Sequence, residues 1–303
     1  MSLFSKAKKP QFEQLGIIGC GLMGSSFALA MKRAGLVKRI VGYSKSPSTT
    51  AKALQLGVID VGAASALQAV SGSDIVLIAV PVAAVEGTFK AIKHMITPDM
   101  LIMDVGSTKS DVVEAAQRIL GSSAVGSFVP VHPIAGKEVS GVENADVNLY
   151  NGRQVIFTPI GRTLTAQLSR AQSIWNALGC HVQSMSPETH DAAFAAVSHL
   201  PHLLAFAMMN SIGSQKHAED FLALAGTGFR DFTRIAASDP EMWHDIFMAN
   251  RVQMTLQIDQ FKQALDLLAS MIAHNDSRSL EASLALASTA RRQWHLSEEL
   301  PPK

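Results

Sequence analysis

His132 sits in Val131-His132-Pro133-Ile134-Ala135-Gly136-Lys137-Glu138, directly after an apolar run that reads as a strand. A neutral imidazole, with an ordinary pKa of about 6.5, can take the proton of an alcohol as hydride leaves its carbon. Gly106-Ser107-Thr108-Lys109-Ser110 ends another apolar run and brings hydroxyls and an ammonium to the same kind of edge. Ser107 there reads equally well as a helix cap and as a group that orients a substrate. Farther along lie Ser198-His199-Leu200-Pro201-His202 and the segment from Gly226 to Ala236, GTGFRDFTRIA. Arginine grips a carboxylate with a two-pronged hydrogen bond, so one of Arg230 and Arg234 is expected to hold a carboxylate. The other is expected to pair within the chain, with Asp231 or Asp239. His199 and His202 share a helix face, but no acid or third histidine stands at metal spacing, so no metal site is expected.

Gly19-Cys20-Gly21-Leu22-Met23-Gly24 follows the strand-like Leu15 to Ile18 and opens a helical pattern running to about Ala34. In that context the three glycines are a dinucleotide-binding turn. Gly19 makes the tight turn, Gly21 lets the backbone approach a pyrophosphate, and Gly24 lets helix and strand pack, with the amides of Leu22 and Met23 aimed at the anion. About twenty residues on, where an acid would bind the ribose of NAD, the chain reads Tyr43-Ser44-Lys45-Ser46. Hydroxyls and a positive charge in place of a carboxylate favour NADP over NAD. The run Asp74 to Val80 ends in Pro81, so Val80 and Pro81 fall at the carboxyl edge of the sheet, where ligands of open α/β sheets bind.

The elements that must position these residues follow from periodicity. Between Leu15 and about Met185, short β-type runs alternate with helical patterns, which implies a mostly parallel sheet covered on both faces. Beyond Ser186 the β-type runs stop and apolar residues recur at helical intervals. The fold expected is α/β, an N-terminal Rossmann doubly wound parallel sheet over residues 1–186, followed by an all-α domain over 187–303. Ser186-Pro187 marks the boundary as a helix cap and first turn. The net charge of +1 offers no field for nucleic acid. Cys20 and Cys180 are far apart and in no metal spacing, and no uninterrupted apolar run has membrane length. A cytoplasmic protein with a small-molecule substrate, without nucleic-acid or membrane partners, is expected.

The blocks GCGLMGSS, DVGSTKSDV, VHPIAGKEVSGVENADVNLYNGRQVIFTP, VSHLPHLLAFA and GTGFRDFTRIAASDPEMWHDIF together resemble the prephenate dehydrogenase family of tyrosine biosynthesis, which includes arogenate and cyclohexadienyl members. The resemblance spans about Leu15 to Arg251. It implies oxidative decarboxylation of prephenate to 4-hydroxyphenylpyruvate with NAD(P), aromatisation driving the reaction. It implies His132 as the group that hydrogen-bonds the 4-hydroxyl and Ser107 as the group that orients it. His202 and Arg234 are implied to hold the substrate, Arg234 through a carboxylate. Lys137 and Glu138 stand near the expected substrate mouth. Lys137 would favour the keto acid of prephenate and Glu138 the ammonium of arogenate, so the pair leaves both substrates open. The long apolar helices after Glu241, with the resemblance, point to a homodimer through the helical domain. No fused mutase or regulatory domain is expected, so tyrosine inhibition would be competitive. A β-hydroxyacid dehydrogenase shares the GLMG opening but fits SHLPH and GFRDFTRIA poorly. A non-catalytic NADP-binding sensor would need neither His132 nor Arg234.

Overall fold

The protein is described from a computed structural model over residues 10–295. Six parallel strands form the main sheet: β1 (Phe12–Ile18), β2 (Val37–Tyr43), β3 (Val61–Gly62), β4 (Ile75–Ile78), β5 (Leu101–Asp104) and β6 (Phe128–Val129). Their order is β3-β2-β1-β4-β5-β6. Helices α1 (Leu22–Arg33), α2 (Pro47–Gln55), α3 (Ala66–Val70), α4 (Val82–Ile92) and α5 (Ser110–Ala124) connect them. β4 and β5 are buried throughout, as continuous apolar runs must be when helices cover both faces. The strand order reverses between β1 and β4, which opens a crevice at their carboxyl ends.

A second sheet holds β7 (Val131–Pro133), β8 (Gln154–Phe157) and β9 (His181–Ser184), with α6 (Thr165–Ala177) between the last two. β7 runs antiparallel to β8, and β8 parallel to β9. His132 therefore does not follow a strand of the main sheet, as its sequence position suggests. It lies inside β7, opposite Ile156. Pro130 separates the two sheets, because it has no N–H to continue a ladder. Its carbonyl accepts the Thr158 amide at 3.1 Å, and the Asp104 carboxylate at the end of β5 accepts the Val131 amide at 3.0 Å. That second bond keeps the His132 strand tied to the nucleotide-binding sheet.

From Ser186 the described residues are helical: α7 (Pro187–Phe194), α8 (Leu200–Gly213), α9 (Ala218–Ala223), α10 (Thr227–Thr233) and α11 (Pro240–Ala249). Ser186 caps α7 through the Thr189 amide, with Pro187 in the first turn. A π turn over Ala195–His199 joins α7 to α8. Pro201 explains it, since its ring crowds the carbonyl one turn back and it donates no hydrogen bond, so the backbone widens just before it. The run Pro187–Gly213, with mean hydropathy 1.5 in its most apolar window, is long and apolar enough to cross a membrane by length and composition. It also carries His190, Asp191 and His199, all buried.

By compactness the chain divides into two units, one through Asn250 and one from Arg251. The boundary expected at Ser186 falls within the first of these units, and α7, which follows it, is bonded onto α5, as described below. The second unit holds α12 (Arg251–Ala273) and α13 (Ser277–Gln293). Among its described residues α12 buries only Met254 and exposes Leu256, Phe261, Leu265 and Leu267. Cys20 and Cys180 are both free and buried.

Candidate active site

The glycine turn between β1 and α1 has the shape of a pyrophosphate cradle. Gly19 has φ of +101°, and a Cβ there would stand 2.1 Å from the Ala79 carbonyl oxygen. A Cβ on Gly24 would meet the Gly19 oxygen at 2.1 Å, so strand and helix touch backbone to backbone. A Cβ on Gly21 would meet nothing within 4 Å, which leaves the space a phosphate needs. Gly21 caps α1 without a side-chain bond, and the first turn, including Leu22 and Met23, holds no acid to compete for an anion. Ala79 continues β4 by bonding the Ile18 carbonyl at 2.7 Å, so the chain through Val80 and Pro81 leaves the sheet beside this turn. The residues present fit a dinucleotide.

At the end of β2 the Ser44 hydroxyl accepts the Cys20 amide at 2.8 Å, and the Ser44 amide bonds the Thr50 hydroxyl at 2.9 Å. Ser44 thus braces the glycine turn. The Ser46 and Ser48 hydroxyls are 2.8 Å apart at the start of α2. Lys45 is exposed beside them.

On the chemical side, His132 on β7 meets α7, which in turn bonds to the start of α5. Its Nδ1 lies 2.8 Å from Nε2 of His190 on α7, and Nδ1 of His190 lies 2.8 Å from the Asp191 carboxylate. Asp191 also accepts the Lys109 and Ser110 amides, each at 2.8 Å, and so caps α5 from another helix. Burial alone would raise the Asp191 carboxyl, but its bonds from His190, Ser110 and Lys109 outweigh that and lower it. An ionised Asp191 only accepts, so His190 must donate from Nδ1 and accept at Nε2. His132 then donates from Nδ1, which leaves a bare lone pair on its Nε2. That nitrogen makes no hydrogen bond to any described residue. Burial, and then the neighbouring charges of His190, Lys109 and His199, hold the His132 imidazole well below its usual range. The ring of Phe194 packs on both imidazoles, with centroids 4.8 and 4.5 Å away.

The turn expected to offer Ser107 and Lys109 to a ligand is used in two ways. Lys109 is fully buried, pairs with Asp104 and donates to the Val131 carbonyl at 2.9 Å. Its ammonium is therefore a strut between β5 and β7, not a ligand group. Neither Ser107 nor Thr108 caps α5, because Asp191 does so. The half-buried Ser107 hydroxyl makes no hydrogen bond to the described residues and is free for a ligand.

Of the residues expected on the substrate side, His202 is linked to this cluster through Trp243, His199 and Asn250. The Asn250 amide donates to the Asp191 carbonyl at 2.8 Å and lies 3.2 Å from Nδ1 of His199. Trp243 on α11 lies against His199 and stacks on His202, with centroids 3.7 Å apart and planes at 22°. His202 bonds the Ser198 carbonyl through Nδ1 at 2.9 Å, so its Nε2 is turned elsewhere. Arg234 forms an ion pair with Glu138, which ties the loop after β7 to the short turn after α10. Arg230 pairs with Asp231 on the surface. Lys137 is engaged by Asp146 at 3.0 Å and by the Asn144 carbonyl, so it turns toward the 142–146 segment. Both arginines are paired within the chain, although only one was expected to be.

Two family models match in tandem. The prephenate dehydrogenase nucleotide-binding domain covers residues 27–184, and the prephenate dehydrogenase dimerization domain covers 186–286. The chain belongs to the prephenate dehydrogenase family. It is 35% identical to prephenate dehydrogenase of Bacillus subtilis over 87% of this chain and 71% of that one. It is 31% identical to cyclohexadienyl dehydrogenase of Zymomonas mobilis over 96% and 99% of the two chains. The crystal structure of prephenate dehydrogenase from A. aeolicus, in complex with hydroxyphenyl propionate and NAD+, superposes with a TM-score of 0.87 at 37% identity, covering 93% of this chain and 98% of that chain. Membership makes the chain an oxidoreductase on a Rossmann nucleotide-binding domain. Within this family fold, His190, Asp191 and Asn250 are bonded into the cluster around His132, and the sequence motifs did not mark them. The one local signal was a His-Asp pair, Thr189-His190-Asp191, in the first turns of a capped, otherwise apolar helix.

Proposed function

We propose that the protein oxidises and decarboxylates prephenate to 4-hydroxyphenylpyruvate in tyrosine biosynthesis. The observation that carries the reading is the bare Nε2 of His132 in a family whose A. aeolicus member binds hydroxyphenyl propionate and NAD+. A neutral imidazole there accepts the proton of the 4-hydroxyl. The bound nicotinamide supplies the hydride acceptor. The ring carboxylate leaves as carbon dioxide and its electron pair makes the ring aromatic.

Ser107 has a free hydroxyl on the turn after β5 and orients substrate and base. Trp243 and His202 present a flat stacked surface and one free ring nitrogen to the substrate. Arg234 supplies the cation for a carboxylate, positioned by Glu138. A cation that strongly stabilised the departing carboxylate would slow its loss, so Arg234 serves binding more than bond breaking. Prephenate is preferred because a keto-acid side chain needs no acid beside it, and Glu138 is already matched by Arg234. The Z. mobilis relative supports a second reading, a cyclohexadienyl enzyme that also takes arogenate.

NADP is the preferred cofactor, with NAD as the alternative, because Ser44, Lys45 and Ser46 offer donors and a positive charge where a 2′-phosphate would lie. The dimerization-domain match and the exposed apolar residues of α12 support a homodimer built through the helical region. Cytoplasmic location, with no membrane or nucleic-acid partner, completes the proposal. Turnover measured with prephenate and arogenate, each with NADP and NAD, tests it. A prephenate-dependent reduction of NADP is expected, and activity on neither substrate would overturn it.

A further inference from the structure

We propose that His190 and Asp191 act with His132 as a closed proton relay that holds the substrate's hydroxyl proton during oxidation and returns it when the ring becomes aromatic. The inference rests on the activity proposed above and assigns to His190 the role of a positioning residue that acts through His132.

The bond order along the line fixes the direction of transfer. As hydride leaves carbon 4, the hydroxyl proton passes to Nε2 of His132. The proton on His132 Nδ1 passes along the 2.8 Å nitrogen–nitrogen hydrogen bond to Nε2 of His190, whose Nδ1–H stays on the Asp191 carboxylate. His132 is again neutral, and the positive charge sits on His190 against Asp191. When the carbon–carboxylate bond breaks, its electron pair enters the ring and the carbonyl oxygen becomes a phenolate. The two protons move back, leaving a phenol, carbon dioxide and the reduced cofactor. No net proton is released, so the relay needs no path to solvent. The burial of its far end agrees with this: His190 is 0% exposed and Asp191 3%.

The surroundings decide where the charge rests. His132 faces His190, Lys109 and His199, and burial with these three works against a charge on its ring. His190 is also penalised by burial and by Lys109, but its bond to Asp191 and the charges of Asp191 and Asp104 work in favour of a charge on it. Asp191 is in turn fixed by two backbone amides of α5, so the counter-charge cannot swing away. A structural role alone would not call for an Nδ1-to-Nε2 contact between two imidazoles followed by a carboxylate.

His190→Gln keeps an acceptor for His132 Nδ1–H but cannot take a proton. We expect its kcat to fall by about 10²-fold or more. KM for substrate and the affinity for dinucleotide should stay within about threefold, on the view that substrate contacts are untouched. A wild-type kcat in a folded His190→Gln protein would overturn the relay. Nitrogen-15 spectra of the histidine rings in the unaltered protein give a reading that needs no variant. His132 should be protonated on Nδ1 and bare on Nε2, and His190 should acquire charge before His132 as pH falls. The opposite tautomer, or charging of His132 first, would also overturn it. If the unaltered enzyme turned over neither prephenate nor arogenate, the activity would fail while the spectra still reported on the relay.

Discussion

A base that must take a proton from an alcohol needs a free lone pair, and at His132 on β7 a neighbour on helix α7, His190, supplies the orientation. Replacing His132 with asparagine removes the basic ring nitrogen and leaves a polar side chain that cannot take up the proton. We expect kcat to fall by roughly 10²–10⁴-fold with KM changed little, measured by steady-state kinetics; an unchanged kcat would exclude the residue from the chemistry. In the proposed reaction Arg234 belongs to binding. Arg234→Gln should raise KM by a factor corresponding to about 2 kcal/mol or more, with a smaller loss in kcat. Glu138→Gln, which frees the guanidinium without removing it, should cost less. Equal losses in the two variants would mean that the ion pair, not the substrate contact, is what Arg234 provides. Ser44→Asp tests the cofactor. A carboxylate can still accept the Cys20 amide, so the glycine turn is kept, while a 2′-phosphate is repelled. The ratio of NADP to NAD efficiency should drop by about tenfold or more, on the view that an unfavourable charge contact costs at least 1.4 kcal/mol.

At the scale of elements, one buried ion pair joins the parts of the site. Lys109, between the Ser107 turn and α5, reaches Asp104 at the end of β5 and the carbonyl of Val131 beside His132. Lys109→Met would leave Asp104 buried without its cation. The expected loss of stability is about 3–5 kcal/mol, read from denaturant unfolding, and a loss within error would mean that the strut is dispensable. The alternation of strands and helices, the glycine turn, the Ser186 cap and the HPIAG, SHLPH and TRIA segments were all legible in the chain, because each depends on local spacing. What was not legible depends on distant partners. His190 and Asp191 look like ordinary polar residues near a helix start until α7 is docked, with Asp191 meeting an amide 82 residues earlier in the chain. The second sheet was hidden for a different reason. A single residue, Pro130, separates β6 from β7, and a periodicity argument reads Gly126 to Val131 as one strand. Lys109 reads from the sequence as an ammonium offered at the sheet edge because lysine is rarely fully buried unless it is paired, and its partner lies on another element.

Over the whole molecule, the neutral histidines make stability depend on pH. Burial pushes His199 down to about 4, and His132, His190 and His202 are lowered in the same direction, burial being the largest cause in each. The unfolded chain takes up these protons near pH 6.5 and the folded chain only below that, so their contribution is complete above about 6.5 and is lost as pH falls toward 4. His199 alone accounts for about 3 kcal/mol of this when fully developed. The unfolding midpoint should therefore fall between pH 6.5 and 4, and His199→Gln should flatten the fall; an unchanged slope in that variant would assign the loss to other groups. Sedimentation tests the assembly, where two chains per particle are expected and single chains only would refute the dimer. The central claim is the activity itself. With purified protein, NADP and prephenate, reduced-cofactor absorbance should rise together with 4-hydroxyphenylpyruvate, and more efficiently than with arogenate. Formation of no reduced cofactor from either substrate, with NADP or with NAD, would contradict the account.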